Sequence, residues 1–469
     1  MRLNTQQPLF PWEALDDSPS LQTVRVFLET VPDTTLLDAL RRRRGKGRDD
    51  YQVRALWGTL LLTIVLRHPT IEATLADLQR NAAMRKLIGI ESEAGVPKKW
   101  NMSRFLDVLG REPHRTLLRQ VFDAMIRRLG AAAPDLGRHV AGDASGLSAR
   151  PDSDADDDLP GPSRGHKEYA DEQGRVTRVV EWFGYKFHLL VDVKHEVALA
   201  WRITPANVGD NEPLPQLLEQ AQANLPAERI QTLAYDKACD DEATHRLLHK
   251  RRIAPLIENR SLWKEEFERP LPGKKKADNL VHDEAGTVYC YDLASEPPVR
   301  HKMSYIGHEP ARGTLKYRCP ACHEGWRCPS SPRCNAGRAY GRTIRIKREL
   351  DLRRFPPIPR ATKQFERLYK GRTAVERVNA RLKIFWGADD GNIVGPRRFH
   401  AFLAAVMIVH AGLATLLAGS PRHDGPLGRL RLSAVAKALQ TRATSQATSQ
   451  TQSQATSQTQ SQATSQTTS

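Results

Sequence analysis

Four polar side chains near residue 370 have a spacing that places them on one face of a helix. Tyr369, Arg372, Glu376 and Lys383 are separated by three, four and seven residues. At about 100° per residue, these positions span an arc of roughly 60°. One helical stripe would then present a carboxylate between two cations and a phenol. The same pattern also fits a solvated helix with an incidental i,i+4 ion pair between Arg372 and Glu376.

Two aspartates each follow an apolar run that has the composition of a β-strand. Residues 138–147 are interpreted as a strand with Asp143 at its exit, and Asp236 directly ends a later strand. For Asp143 the alternative is an aspartate that only forms a turn. For Asp236 the alternatives are Asp240 and Asp241, but these two lie where the N-cap of the next helix belongs.

A cluster of cysteines lies between the second aspartate and the stripe. The cysteines Cys319, Cys322, Cys328 and Cys334 have spacings x2, x5 and x5. Four thiolates within sixteen residues could bind a structural zinc ion tetrahedrally. Free, reduced thiols are the alternative, because only one CxxC pair is present. His323 and Cys290 could substitute for one of the four ligands.

The stripe carries a resemblance to a known family. The motif Tyr-x2-Arg-x3-Glu-x6-Lys over residues 369–383 resembles the signature of bacterial insertion-sequence DDE transposases of the Y-R-E-K branch, at all four positions and all three spacings. Residues 182–188 and 204–210 are similar to connecting strands of that family. The likeness covers roughly residues 50–418. One departure is Ala-Cys at 238–239, where the family often has glycine and an aromatic residue.

This resemblance implies an enzyme that cuts a phosphodiester bond with water and joins the freed 3′-hydroxyl to target DNA. Two divalent ions, Mg²⁺ or Mn²⁺, would serve both displacements at phosphorus. The implied metal ligands and catalytic residues are Asp143, Asp236 and Glu376. Tyr369 and Arg372 would hold phosphate near the cut end, with Lys383 binding farther along the strand.

The implied partner is double-stranded DNA, both the terminal inverted repeats of the element and its target. By analogy, joining two ends implies a homodimer in the synaptic complex. Two other functions fit parts of the pattern. One is a non-catalytic DNA-binding derivative of a transposase, although none of the three carboxylates is missing. The other is a ribonuclease-H-like nuclease without strand transfer.

The predicted helices and strands that carry these residues indicate an α/β fold. After a helical start, the predicted order is β, β, β, α, β, α, β, which favours a mixed sheet. The resemblance makes it a ribonuclease-H-like mixed sheet with flanking helices, preceded by an all-helical N-terminal domain and carrying an insertion before the last catalytic helix. The predicted divisions are a helical DNA-binding domain at 1–135, the first part of the core at 136–260, a basic Cys-containing insertion at 261–360, catalytic and C-terminal helices at 361–420, and a disordered Ser/Thr/Gln-rich tail at 421–469.

Several local expectations follow from composition and periodicity. Residues 183–193 and 197–204 predict an antiparallel hairpin, and residues 150–178 read as a flexible loop. Continuous helices are predicted over 362–386 and 398–418. The second of these is apolar enough to resemble a membrane segment, but its small residues favour a buried core helix.

The charge of the chain is concentrated in one region. The 469 residues carry a formal charge of +17, and the stretch from Arg300 to His400, with 24 basic and 8 acidic residues, contributes +16. A basic surface confined to a fifth of the chain favours nucleic acid over an acidic membrane as the partner. Six cysteines in so long a chain exclude a disulfide-stapled scaffold. Without a signal-peptide pattern in the first residues, we expect a cytoplasmic protein, and the resemblance implies that it is bacterial and nucleoid-associated.

Overall fold

The computed structural model describes most of the chain before residue 430. The described ranges are 19–45, 51–150, 158–171, 175–264, 267–274, 278–389, 393–419 and 425–429. The helices are α1 (Pro19–Thr30), α2 (Thr34–Arg44), α3 (Val53–Val65), α4 (Ile71–Arg80), α5 (Ala82–Leu87), α6 (Lys99–Leu109), α7 (His114–Ala132), α8 (Leu214–Asn224), α9 (Glu242–Lys250), α10 (Pro320–Glu324), α11 (Ser331–Asn335), α12 (Lys363–Tyr369), α13 (Thr373–Ala380) and α14 (Pro396–Ala418). The strands are β1 (His139–Ser148), β2 (Ser163–Ala170), β3 (Val176–Asp192), β4 (Ala198–Pro205), β5 (Thr232–Tyr235), β6 (Ala254–Ile257), β7 (Arg269–Pro270), β8 (Leu280–His282), β9 (Val288–Asp292), β10 (Val299–Lys302), β11 (Ser304–Glu309), β12 (Thr314–Arg318) and β13 (Thr343–Lys347). Apart from residues 425–429, the predicted tail lies outside the described residues.

Of the seven described helices before the first strand, α1, α3, α6 and α7 pack against α14. Helix α3 is buried along most of its length, so its hydroxyl groups need partners inside the protein. Thr59 and Thr63 donate to carbonyls one turn earlier, at 2.7 and 2.8 Å. Helix α14 contacts α3, α6 and α7, and its apolar residues belong to the same hydrophobic cluster as the central sheet. The N-terminal helices and the sheet therefore share one core.

The central sheet is mixed, as the sequence predicted. Its order is β2-β3-β1-β5-β6, with β4 also paired to β3. Strand β3 is antiparallel to β1, β2 and β4, whereas β1, β5 and β6 run parallel. The pairing of β3 with β4 confirms the predicted hairpin. Strands on both sides of β1 thus hold it in the middle of the sheet.

The prediction of a flexible loop over 150–178 was wrong for its second half. Residues 163–170 form β2, which pairs antiparallel with the first half of β3. The sequence of β2, SRGHKEYA, has no apolar alternation, so periodicity could not identify it. It is a strand because the extended β3 offers it backbone partners beyond the core. Residues 151–157 lie outside the described part of the chain.

The region between β6 and α12 forms two small sheets with a hydrophobic cluster of its own. The sheet orders are β10-β9-β8-β7 and β11-β12-β13. The buried members of the cluster are Leu271, Leu280, Val288, Met303, Leu315, Tyr317, Ile344, Ile346 and Phe355. Strands of two to six residues are too short to show a clear period, which explains why the sequence revealed only irregularity here.

A buried aspartate ties the end of this region to the sheet. The Asp240 carboxylate accepts hydrogen bonds from Arg353 Nε at 2.9 Å and Arg360 Nη2 at 2.7 Å, and lies 2.8 Å from His245 Nε2. Burial by itself raises the pKa of Asp240, but His245 and the two arginine charges hold that pKa below its ordinary value. Asp241, in contrast, caps α9 through the Thr244 backbone N–H. Asp240 therefore has a structural role that the N-cap interpretation missed.

We expect Asp240→Asn to destabilise the protein strongly. The amide removes the charge that balances Arg353 and Arg360, whose side chains are 9% and 6% exposed. Breaking a buried ion pair from one side costs about 3–5 kcal/mol of unfolding free energy. Chemical denaturation of the wild type and the variant measures this difference. Asp241→Asn is the control and should change the free energy little, because asparagine is an equally good N-cap. Equal losses in both variants would contradict the assignment.

Among the described residues, α14 is the one helix long and apolar enough to cross a membrane. Of its most apolar 18-residue window, 83% is buried inside the protein. His410 lies in the middle of the helix, and its Nε2 accepts a hydrogen bond from the backbone N–H of Ala198. Burial lowers the pKa of His410 to about 3, so its ring is neutral. These contacts confirm the prediction of a core helix.

Candidate active site

The parallel strands of the sheet bring acidic residues together at one edge. Ala141 of β1 pairs with Ala234 of β5, and two residues further along these strands lie Asp143 and Asp236. The expectation that Asp143 closes its strand was wrong, since β1 continues to Ser148. That extension pairs with β3 alone, because β5 ends first. Asp143 therefore lies in the middle of β1, beyond the last residue of β1 that pairs with β5.

The side chain of Asp143 is partly buried, and charges of both signs act on it. Desolvation raises the pKa of Asp143 to about 6, and the charge of Asp210 adds to the effect. The charges of Lys167 and Arg372 act in the opposite direction. A carboxylate that is poorly solvated and near another acid is suited to binding a cation.

Asp236 follows β5 directly and begins a short 3₁₀ turn. Its Oδ1 accepts a hydrogen bond from the Ala238 backbone N–H at 3.0 Å. The preceding Tyr235 is buried against β1, and its hydroxyl donates to the Asp210 carbonyl at 3.2 Å. A Cβ at Gly142 would lie 2.1 Å from the Tyr235 ring, so only glycine permits this packing. The packing sets the spacing of the two strands next to the aspartates.

The helix that carries the motif is not uniform, contrary to the prediction for 362–386. Helix α12 is followed by a 3₁₀ turn at 370–372, then by α13, and then by a π-helical turn at 381–385. The constant angle per residue assumed for the stripe therefore fails at both ends of α13. Helix α13 packs against β1 and β3.

Arg372 is the charge that links the helix to the strands. Its Nη2 lies 2.9 Å from Glu376 Oε1, and that glutamate side chain is 50% exposed. Burial lowers the pKa of Arg372, but Tyr369, Glu376, Asp143 and Asp236 together raise it above its ordinary value. The guanidinium therefore interacts with all three predicted carboxylates.

Tyr369 lies near Arg372 and is hydrogen-bonded to Glu258, an acid that the sequence analysis overlooked. Its ring stacks on Phe365 with centroids 5.6 Å apart. Burial, the charge of Glu258 and a hydrogen bond to Glu258 raise the pKa of Tyr369 to about 12, so the phenol keeps its proton at neutral pH. Glu258 directly follows β6, and the β5–β6 register places it beside Asp236. The strand-end rule that found Asp236 would also have found Glu258.

Residues 136–411 match the family model of the transposase DDE domain. This span covers more than half of the chain. The chain belongs to the transposase DDE domain family. The match begins just before β1 and ends within α14, so the transposase domain includes Asp143, Asp236 and Glu376. Membership of this family makes the protein a DDE transposase whose substrate is DNA. No curated protein matches the chain significantly.

Lys383 reaches from the π-helical turn of the transposase domain to the end of β1. Its Nζ donates to the Gly146 carbonyl at 2.6 Å and lies 3.0 Å from Asp389 Oδ2. The side chain is 24% exposed. Lys383 thus lies between the strand that bears Asp143 and the helix that bears Glu376.

The acidic groups of the transposase domain suit a hard divalent cation in their chemistry. Asp143 lies in β1 and Asp236 directly follows the adjacent strand β5, whereas Glu376 is paired with Arg372 on the helix. Within the described ranges, no three His, Cys, Asp or Glu side chains stand close enough to share a metal ion. Carboxylate oxygens are the ligands that a hard cation prefers, and Glu376 would have to leave Arg372 to join the two aspartates.

The cysteines of the insertion have a different grouping from the predicted one. Cys319, Cys328 and Cys334 line a small cavity together with Cys290, and Cys322 does not line it. Burial raises the pKa of the Cys290 thiol to about 12, with further contributions from the other three thiols of the cavity. All these cysteines are free of disulfide bonds. The predicted ligand Cys322 does not line the cavity, although its side chain is hydrogen-bonded to Cys319.

Proposed function

We propose that this transposase cleaves the ends of a bacterial insertion sequence of the Y-R-E-K branch and joins them to target DNA. The observation that carries the proposal is the placement of Asp143 within β1 and of Asp236 directly after β5, the parallel strand next to β1. Arg372, which interacts with both aspartates and with Glu376, extends this group to the helix. These three carboxylates are the catalytic residues of the proposal.

Mg²⁺ or Mn²⁺ bound by Asp143, Asp236 and Glu376 would supply Lewis-acid stabilisation of the oxygens at the reacting phosphorus. The other groups of the site hold the DNA. A scissile phosphate would compete with Glu376 for Arg372, because guanidinium binds phosphate oxygens in a bidentate manner. Tyr369, protonated at neutral pH, donates a hydrogen bond to the same phosphate. Binding of DNA thereby releases Glu376 towards the aspartates.

The strand order supports a ribonuclease-H-like core. Strands β4, β3 and β1 are antiparallel neighbours, and β5 and β6 continue the sheet in parallel with β1. The helices of residues 1–135 serve as the DNA-binding domain that holds the terminal repeats. Four consecutive arginines, Arg41–Arg44, end α2 and supply a cationic patch there. Two copies of the chain would pair two element ends.

The basic insertion supplies a second DNA surface. Strand β13 alternates, with Ile344 and Ile346 in the small core and Arg345 exposed. Arg345 pairs in register with Lys316 of the neighbouring strand. Arg318, on the same strand as Lys316, lies 3.8 Å from the centroid of the exposed Tyr340 ring. Such a surface, with cations and an aromatic ring, is typical of a nucleic-acid contact.

Cleavage and joining are tested on a duplex that carries the inverted repeats flanking the gene, with Mg²⁺ or Mn²⁺ and a supercoiled target plasmid. We expect nicks at the repeat ends, then products in which those ends are joined to the plasmid. Cleavage without joined products would favour a nuclease that lacks strand transfer. Binding without any cleavage would favour a non-catalytic derivative.

We expect Lys383→Gln to weaken DNA binding without abolishing the chemistry. The lysine contributes one phosphate contact, so the slope of log affinity against log salt should fall by about 1. Fluorescence anisotropy with the repeat duplex at several salt concentrations measures both quantities. Lys370→Gln is the matched control, because Lys370 is exposed and pairs with Glu366. Identical salt slopes for wild type and Lys383→Gln would contradict the role.

A further inference from the structure

The insertion contains a small cavity whose lining includes four cysteines. Its volume is about 20 Å³, which is roughly the space that one water molecule needs. The four cysteines around it come from separate segments, and they are Cys290 in β9, Cys319 after β12, Cys328 between α10 and α11, and Cys334 in α11. Since β9 and β12 belong to different sheets, the cavity lies where the two small sheets meet.

Amide groups in the wall of the cavity donate to the sulfur atoms. Asn335 Nδ2 lies 3.6 Å from Cys319 Sγ, and Asn279 Nδ2 lies 3.8 Å from Cys334 Sγ. Arg342 orients both amides, because its Nη1 donates to Asn279 Oδ1 at 2.9 Å and its backbone N–H donates to Asn335 Oδ1 at 2.6 Å. Donors held towards sulfur stabilise a thiolate and commonly support metal-binding ligands.

We propose that Cys290, Cys319, Cys328 and Cys334 bind one structural zinc ion, and that Cys322 is not a ligand. Four thiolates form the tetrahedral set that structural zinc prefers, with Zn–S distances of about 2.3 Å. As each Zn–S bond forms, the thiol loses its proton to solvent. The four cysteines line the cavity, but among the described residues no three His, Cys, Asp or Glu side chains are close enough to hold a metal ion, so zinc would draw the sulfurs inwards.

Zinc at this position would cross-link the two small sheets. The strands of the insertion have two to six residues, and their separate hydrophobic cluster has only nine buried members. A small core of this kind commonly needs a metal or another cross-link. This role is independent of the proposed strand transfer, since none of the four cysteines belongs to the acidic edge of the central sheet.

The zinc content of the purified full chain tests the proposal with a matched pair of variants. We expect about one zinc ion per chain by elemental mass spectrometry in the wild type and in Cys322→Ser, and a severe loss in Cys290→Ser. Cobalt in place of zinc should give the intense sulfur-to-metal charge-transfer absorption of a four-thiolate site in the first two proteins. Absence of both metals from the wild type would overturn the proposal. So would zinc retained in Cys290→Ser and lost from Cys322→Ser.

Alkylation of the wild-type chain keeps the test decisive if Cys290→Ser does not fold. With zinc present, N-ethylmaleimide should label Cys322, which is partly exposed, and leave the four ligands unlabelled. A chelator should then make those four cysteines reactive, as mapped by peptide mass spectrometry. Protection of Cys322 together with labelling of Cys290 would contradict the assignment. DNA cleavage is measured separately, so its loss or retention does not decide the zinc assignment.

Discussion

Asp143→Asn is expected to abolish DNA cleavage while the protein stays folded. The amide keeps the shape of the side chain but cannot supply the anionic oxygen that a divalent ion needs. Metal stabilisation at phosphorus is worth several kcal/mol, and a loss of about 4 kcal/mol slows the reaction roughly a thousand-fold. Single-turnover cleavage of an end-labelled repeat duplex measures this effect.

The matched control for this variant is Glu228→Gln. Glu228 is exposed, precedes β5 at the end opposite to Asp236, and pairs with Arg252. Its substitution should leave the cleavage rate unchanged. Anisotropy should show that Asp143→Asn still binds the duplex, which separates lost chemistry from lost binding. A cleavage rate equal to that of the wild type would remove Asp143 from the catalytic set.

The pH dependence provides a second view of the same residue. Because the pKa of Asp143 is raised to about 6, its carboxyl group takes up a proton as the pH falls through that value, and cleavage should decline there. The effect of pH on the stability of the folded protein has the opposite sign to its effect on cleavage. A raised carboxyl pKa favours the folded protein at low pH, and this contribution is lost as pH rises from about 4 to about 6. At pH 7 the Asp143→Asn protein should therefore be no less stable than the wild type.

Glu376→Gln should also remove cleavage, again by roughly a thousand-fold if a metal ligand is lost. In this case DNA binding should be retained or become tighter. The substitution removes a negative charge that competes with phosphate for Arg372, 2.9 Å away. Parallel anisotropy and cleavage measurements test both halves of this expectation. The combination of lost chemistry and preserved affinity distinguishes a ligand from a residue that only holds Arg372 in place.

Glu366→Gln is the control for the helix. Glu366 lies on α12, is 66% exposed and pairs with Lys370. The Glu366→Gln substitution removes the same charge as Glu376→Gln from the same region, but at a side chain that does not reach the strands. If Glu366→Gln impaired cleavage as much as Glu376→Gln, general electrostatics would explain both results. Unchanged cleavage in Glu376→Gln would refute the assignment of this residue.

Local patterns in the sequence predicted much of the central fold. Apolar runs predicted the β3–β4 hairpin, the mixed sheet and the buried α14. Each of these runs lies within one helix or strand, so its period or length can be read from the local sequence. The position of Asp236 follows in the same way, because it directly ends β5. Where the prediction failed, a distant partner was the cause. Strand β2 forms because the first half of β3 provides it with backbone hydrogen-bond partners. Asp143 lies in the middle of its strand because β1 continues beyond the end of β5.

The sequence by itself determined which chemical groups this transposase has: three spaced carboxylates, a Tyr-Arg-Glu-Lys motif, a cluster of cysteines and a basic region before the last helices. Only the tertiary structure decided which of them meet. It placed Glu258 beside Asp236, set Arg372 among the acids, and put Cys290 rather than Cys322 at the sulfur-lined cavity. The physical reason is that strand register and sheet packing join residues far apart in the chain, and no local period encodes such contacts.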